Sequence, residues 1–297
     1  MAISARMLWT LAKQSVTAWI DDRASSMGAA IAFYTVFSLA PLLLISIAIA
    51  GLVFGEEAAR NAIVEQLGGM VGDTGAAGIQ TVLEAARDPE GGVIATVVST
   101  LTLIVGATTV FAELQTDLDI VWKVPPDKQK TGISGLVRAR LLSLGIVLGV
   151  GFLLIVSLIL NAALAALGEW WGGWFGNWEL TLQAVNFLVS FVVITGLFAM
   201  IFKILPSVPI AWDDVWIGAA VTSLLFSIGK FLIGLYIGKS ALASGFGAAG
   251  TFIVVIVWVY YSSLVFLLGA EFTHVYAHGA GSKAGEAAPA AARAAPR

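Results

Sequence analysis

The chain has 297 residues, of which 59% are hydrophobic and only 12% are charged, whereas a soluble domain has about 25% charged residues. A soluble fold has too little interior to bury that much apolar surface, so the composition indicates a membrane protein. The net charge of −3 excludes the basic footprint of a nucleic-acid binder, and the absence of cysteine excludes disulfides, thiol chemistry and cysteine-ligated metals.

Residues 1–23 form an amphipathic N-terminal segment. Its apolar residues recur at near-helical spacing around Arg6 and Lys13, which is typical of a helix that lies in the membrane interface. An ordinary frayed terminus is the alternative interpretation.

Long uncharged stretches predict an all-α, polytopic membrane protein with six transmembrane helices. A hydrocarbon core roughly 30 Å thick requires about 20 apolar residues in a helix. The transmembrane domain is therefore predicted over residues 24–278, and residues 279–297, rich in Ala, Gly and Pro, are predicted to be a disordered tail. The predicted spans are residues 28–54, 91–112, 141–168, 180–202, 215–238 and 249–270.

The basic residues predict the orientation of these helices. With the N-terminus inside, the inner segments hold twelve Lys and Arg residues and the outer segments hold three. Short cytoplasmic loops retain an excess of positive charge. We therefore expect both termini, and the tail, to be cytoplasmic.

Polar residues in the first span are candidates for a substrate pathway, because every polar group in lipid needs a partner. Tyr34 and Ser38 are the candidates here, and Pro41 follows them. Proline lacks an N–H and frees the carbonyl four residues earlier, which predicts a kink. Either the helix is broken beside a substrate path, or the proline is tolerated within the bundle.

Two further candidates, Asp117 and Asp119, lie at the inner end of the second helix. Glu113 and Asp117 are four residues apart and share a helix face, so they can bind a cation or a neighbouring basic residue. A solvated or ion-paired face is the alternative, because helix ends at the cytoplasmic surface commonly carry charge.

Glu271, His274 and His278 share one face of the last helix. The spacing resembles that of metal ligands, but a zinc site needs a further ligand that the sequence does not identify. We interpret the histidines as interfacial polar residues and predict no metal site, whereas Glu271 remains a candidate for the pathway.

Lys230 is the only basic residue inside a predicted span, and no acidic partner is evident at its depth. Either its side chain extends to the outer headgroups, or its ammonium group faces a wet cavity and attracts an anion such as a lipid phosphate. Three small residues of the last segment are predicted to serve close packing or a kink, as Pro41 does. They are Gly247, Gly250 and Gly269.

Five sequence segments together resemble the YihY/BrkB family of bacterial integral membrane proteins. They are AAIAFYTVFSLAPLLLI at 29–45, LQTDLDIVWKV at 114–124, LPSVPIAWDDVWIGA at 205–219, GKFLIGLYI at 229–237 and GFGAAGTFIVVIVWVYYSSLVFLLGAEFTHVYA at 245–277. The chain departs from the family at Asp119, where asparagine is frequent, and at Phe246, where tyrosine is frequent. The resemblance implies a six-helix protein of the bacterial inner membrane from a family formerly mislabelled as ribonuclease BN.

Transport or flipping of an envelope lipid or related amphiphile is the function we expect. The chain offers no soluble catalytic domain, and its polar intramembrane residues suit a pathway better than a reaction centre. Membrane lipids, including anionic headgroups, are then the expected partners, with no nucleic acid, no cofactor and no enzymatic activity. A non-transporting scaffold for envelope assembly is the alternative. A ribonuclease fits less well, because it needs catalytic groups beside a basic RNA channel.

Overall fold

The computed structural model describes residues 5–65, 77, 80, 109–125, 178–239 and 248–284. Within those ranges every regular element is a helix and no strand occurs, as predicted. The helices are α1 (Ala5–Asp21), α2 (Ala24–Phe54), α3 (residues 109–121), α4 (Trp178–Ile204), α5 (Trp212–Lys239) and α6 (Ala248–Gly279). Residues 56–65, directly after α2, are also helical.

Three helical stretches in the described part of the chain are long and apolar enough to cross a membrane. They are Phe187–Ile204, Trp212–Ile233 and Ile253–Gly279. They coincide with the last three predicted spans, and α2, a 31-residue helix without a charged residue, coincides with the first. Most of the predicted span 91–112 and all of 141–168 lie outside the described residues, so six spans and the orientation remain predictions.

The polypeptide turns sharply between α1 and α2 at Arg23. This residue has φ 57° and ψ 42°, the left-handed conformation that is uncommon outside glycine. Its carbonyl accepts hydrogen bonds from the N–H groups of Ser26 and Met27, which begin α2. The turn allows α1 to leave α2 and pack against the far end of α6.

One side of α1 is buried against α6. Leu11 and Ser15 are 4% and 2% exposed, and the indole N–H of Trp19 donates to the carbonyl of Leu264 at 3.2 Å. The apolar residues on the other side are exposed: Leu8, Trp9, Val16 and Ile20. An exposed apolar stripe next to basic residues is what an interfacial helix presents to lipid. The location of α1 at the membrane surface stays a prediction.

Helices α5 and α6 cross closely at two reciprocal glycine–threonine contacts. A Cβ added to Gly218 would lie 2.7 Å from Cβ of Thr273, and one added to Gly269 would lie 2.7 Å from Cβ of Thr222. Each threonine hydroxyl donates at 2.7 Å to the glycine carbonyl four residues earlier in its own helix. Both hydroxyls are thus satisfied internally, and the small glycines let the two backbones approach.

The largest buried cluster lies at the end of the bundle where α3 terminates. Its large side chains that are at most 1% exposed include Leu118, Phe202, Ile210, Val215 and Leu267. They come from α3, α4, α5, α6 and the α4–α5 connection, so this cluster sets the relative position of four helices. Aromatic rings extend it, because Phe198 and Phe202 of α4 both pack against Phe266 of α6.

The structure describes only some of the residues that were predicted to form kinks, close packing or the tail. Helix α2 continues through Pro41 as a single helix, and Gly250 lies in the first turn of α6, whereas Gly247 is outside the described residues. Order extends past Gly279, where the tail was predicted to begin, because the N–H of Ser282 donates to the Asp214 carboxylate at 3.1 Å. Residues 285–297 of the predicted tail lie outside the described residues.

The α5–α6 crossing predicts that a single methyl group destabilises the fold. Gly218→Ala and Gly269→Ala each place a Cβ against a threonine and should lower the free energy of unfolding by about 1–3 kcal/mol, as overpacking does. Gly196→Ala in α4 is the matched control, because its Cβ would have no described atom within 4 Å apart from its chain neighbours and the backbone of its own helix. Its effect should stay within about 0.5 kcal/mol. Denaturant unfolding in detergent measures all three, and equal stability would contradict the close crossing.

Candidate functional site

Asp119 anchors the end of α3 to the connection between α4 and α5. Its Oδ1 accepts from the N–H of Ser207 and its Oδ2 from the Ser207 hydroxyl, both at 2.7 Å. The amide of Gln115 also reaches the Ser207 hydroxyl, at 3.4 Å. Asp119 is buried, and two donors match its two oxygens, so its carboxylate acts as a structural tie rather than as a solvated charge.

Asp117, one turn after Glu113, is buried in a different way. It is 2% exposed, and its Oδ2 has no hydrogen-bond partner among the described residues. Burial, and secondly the charge of Glu113, raises the pKa of Asp117 to about 7. Burial also raises the pKa of Glu113. The alternative interpretation from the sequence, a solvated helix face, does not apply to Asp117 or Asp119, because both are buried.

An ion pair joins the α1–α2 junction to the end of α3. The Lys123 ammonium donates to both carboxylate oxygens of Asp22. Lys123 has φ 51°, and the N–H of Val124 bonds to the carbonyl of Asp119 at 2.9 Å, which is how a left-handed residue closes a helix C-terminus. The side chains of Lys123 and Asp22 are 30% and 12% exposed, so the pair lies at the edge of the protein interior.

Glu271 lies next to this ion pair and is fully buried. Its exposed fraction is 0%, and neither carboxyl oxygen has a hydrogen-bond donor in the described part of the chain. The charged groups that act on it are Asp21, Asp22 and Lys123. A buried carboxyl group without donors is the most unusual polar feature of the described structure, because such groups are nearly always hydrogen-bonded.

The two histidines lie one and two turns beyond Glu271. The rings of His274 and His278 are 4.5 Å apart, and Trp122 meets His274 edge-on at 5.2 Å. His274 is 8% exposed, and its Nε2 has no partner among the described residues. Within the described ranges no three His, Asp or Glu side chains are arranged to hold a metal ion.

Asp214 is a buried polar residue that sequence reasoning missed. It is 1% exposed and accepts from the Ser282 hydroxyl at 2.5 Å and from its N–H. The two residues are 68 positions apart, so only the fold brings them together. The one signal in the sequence was the Asp213–Asp214 pair at the start of α5, where one carboxylate faces solvent and the other faces inward.

An apolar groove of about 480 Å³ lies between α2 and α6. Two of its walls are the exposed rings of Phe33 and Phe37, which are 60% and 64% exposed. The groove is also lined by Ala29 and Val36 of α2 and by Ile256 and Tyr260 of α6. Its volume falls within the range of small-molecule sites, about 300–1,000 Å³.

Ser38 and Lys230 do not join the polar residues at the end of α3. Ser38 is fully buried within α2, and Tyr34 packs against the large buried cluster. Lys230 is exposed between Ile228, Phe231 and Leu232, which are also exposed.

The position of Lys230 favours one of the two interpretations of its charge. Trp212 and Trp216 stack and are each 49% exposed at the start of α5, as expected of an aromatic belt. Lys230 lies about 27 Å further along the helix, at 1.5 Å per residue. Its long side chain can therefore extend to the opposite headgroups, as snorkelling residues do.

Comparison with known proteins decides the family. Residues 15–294 match the family described as virulence factor BrkB. The chain belongs to this family.

Relatives of this BrkB-family protein are named UPF0761 membrane proteins. The protein of Pseudoalteromonas translucida is 26% identical over 88% of this chain and 83% of its own length. That of Albidiferax ferrireducens is 29% identical over 57% of this chain and 38% of its own, and that of Tolumonas auensis is 33% identical over 29% of each chain. No solved structure matches the chain. The matches establish a membrane protein of the BrkB family.

The Asp119 anchor predicts different outcomes for two substitutions. Asp119→Ala removes both acceptors of Ser207 and should destabilise the protein by about 1.5–3 kcal/mol, as loss of bonds to a charged group does. Asp119→Asn should lose less than about 1 kcal/mol, because its oxygen still accepts from the N–H and its amide can donate to the hydroxyl. Thermal unfolding in detergent compares them, and equal losses would show that the hydrogen bonds are not important.

Asp117 predicts a pH dependence of stability. Because its pKa is raised to about 7 in the folded protein, from an ordinary value of about 3.9 when unfolded, the folded state holds a proton that the unfolded state has released. Stability should therefore fall as pH rises from about 4 to about 7, by at most about 1.4 kcal/mol per pH unit. Asp117→Asn should flatten this part of the profile, measured by thermal midpoints. An unchanged slope would mean that Asp117 is ionised in the folded protein.

Proposed function

We propose that this protein moves a membrane lipid or related amphiphile between the two leaflets of the bacterial inner membrane. The observation that supports the proposal is the groove between α2 and α6, which is apolar along its length and has exposed polar residues at one end. A groove of this kind suits a molecule with an apolar chain and a polar head.

The polar end of the groove lies at the start of α2. Ser25, Ala29, Phe33 and Phe37 follow one another at four-residue intervals and are all exposed, so they form one stripe along the helix. Ser26 and Arg23 are exposed beside its first residue. A lipid whose chain lies along the phenylalanines would have its headgroup next to two hydroxyls and a guanidinium, which suits a phosphate.

The predicted orientation places this polar end at the inner leaflet, because α2 begins on the side that holds twelve of the basic residues. Lys230 is at the opposite end of the bundle and faces outward. It is left out of the pathway in this proposal, although its ammonium group remains free to reach outer headgroups.

A test fills the groove with a single large side chain. Ala29→Trp places an indole between Phe33 and Tyr260, whereas Ala48→Trp places the same group on another exposed alanine of α2, outside the groove. Purified protein is reconstituted into phosphatidylcholine vesicles that contain fluorescent phosphatidylglycerol, and the movement of inner-leaflet lipid to the outer leaflet is followed with a membrane-impermeant quencher. We expect Ala29→Trp to slow lipid movement by about tenfold or more, and Ala48→Trp to leave it near the wild-type rate.

Two results would contradict the proposal. If vesicles with wild-type protein move lipid no faster than empty vesicles, the protein does not flip this lipid class and the scaffold alternative is favoured. If both tryptophan variants are equally active, lipid moves by a route other than the α2–α6 groove.

A further inference from the structure

Glu271 differs from the other buried carboxyl groups because neither of its two oxygens has a hydrogen-bond donor in the described structure. Asp119 and Asp214 each accept from both the N–H and the hydroxyl of a serine. Glu271 is 0% exposed, and neither oxygen has a donor among the described residues. An ionised carboxylate in such a position is strongly disfavoured, and the usual solution is that the group takes up a proton.

The charges of the groups packed around Glu271 also favour its protonated form. Asp21, which is exposed, ends α1, Asp22 lies in the α1–α2 junction, and Lys123 follows the end of α3. Asp22 and Lys123 already neutralise each other. If Glu271 is ionised, these three side chains together carry one excess negative charge, and if it holds a proton, they are neutral.

Among the described residues, the other elements near Glu271 do not supply a compensating positive charge. On α5, the side that meets this part of α6 presents Gly218 and Thr222. On α6 itself the nearest titratable groups are His274 and His278, and Lys283 of the following turn lies over the Trp122 ring at 5.2 Å. His274 is buried without a partner for Nε2 in the described part of the chain, so it is also better accommodated uncharged.

We propose that Glu271, beside the Asp22–Lys123 ion pair, is a proton-binding site whose protonation state controls the attachment of the α1–α2 junction to α6. Binding is a simple protonation: the carboxylate takes one proton from water and becomes a carboxylic acid, which can donate to the Asp22 carboxylate. Release leaves two carboxylates that compete for one ammonium group, and the repulsion acts directly on the α1–α2 junction.

This site has a route to the proposed transport pathway, and that part of the inference rests on the proposed function. The groove is formed by α2 and α6, and Asp22, beside Glu271 of α6, lies two residues before the start of α2. Proton release would loosen the attachment of the α1–α2 junction to α6 and so alter the polar end of the groove. Proton uptake would restore that attachment. A proton would thereby regulate lipid movement.

Infrared spectroscopy of the full-length protein in detergent tests the proton directly, without any transport. At about pH 7 the difference spectrum of wild type minus Glu271→Gln should contain the carbonyl stretch of a protonated carboxylic acid, because the contribution of Asp117 is present in both proteins and cancels. Glu57→Gln, at an exposed glutamate, is the matched control and should retain the band. Asp22→Asn should also lose it, because Glu271 can then ionise and pair with Lys123. A wild-type difference spectrum without this band would overturn the proton site.

Lipid movement in the phosphatidylcholine and phosphatidylglycerol vesicles tests the regulation. Between about pH 5 and about pH 9 the wild-type rate should change by about fivefold or more, and the rate of Glu271→Gln should be nearly constant. If the infrared band is present but wild-type protein moves no lipid, the transport proposal fails and the proton site stands. If lipid moves with the same pH profile in both proteins, the regulatory role is wrong. A rate that follows sodium concentration instead of pH, with no carboxylic acid band, would replace the proton with a cation.

Discussion

The close crossing of α5 and α6 is the constraint on which the rest of the described structure depends. In lipid no hydrophobic effect drives helices together, so backbones associate where side chains are small enough for extensive van der Waals contact. Here the contact is reciprocal: each helix offers a glycine to a threonine of the other. Helix α6, held in this way, then provides the surface on which α1 and α2 pack, and its C-terminal half meets the ion pair that joins the α1–α2 junction to the end of α3.

Much of the architecture follows from local sequence, whereas most of the polar site does not. Runs without charge identify α2, α4, α5 and α6 because an apolar helix of that length has few other stable environments. The partners of Asp119 and Asp214 lie 88 and 68 residues away, and no periodicity reveals such pairs. Asp22 and Lys123, the charged neighbours of Glu271, are more remote still in sequence. Lys230 is conspicuous in the sequence because charge in a span is rare, but whether it faces lipid or protein depends on the rotation of α5.

The buried acids divide into two kinds, and the difference is visible only in the structure. Asp119 and Asp214 are matched by serine donors, and each fixes the end of one helix to a neighbouring connection. Asp117 and Glu271 are buried with oxygens that lack partners in the described chain. Fully matched acids add specificity to a fold, whereas unmatched ones store an unfavourable electrostatic energy that a ligand or a proton can relieve. Asp119 and Glu271, which look alike as acids near the ends of apolar helices, therefore have different roles.

The antiparallel packing of α2 and α6 has a consequence for topology. Gly28, near the start of α2, meets Leu264 in the second half of α6, and Leu11 of α1 lies beside Gly279 at the end of α6. The chain therefore enters α2 and leaves α6 on the same side of the bundle. A path that begins and ends on one side of a membrane crosses it an even number of times, so six crossings satisfy the parity and five or seven do not. One compartment-specific label at either end of the chain consequently reports the location of both.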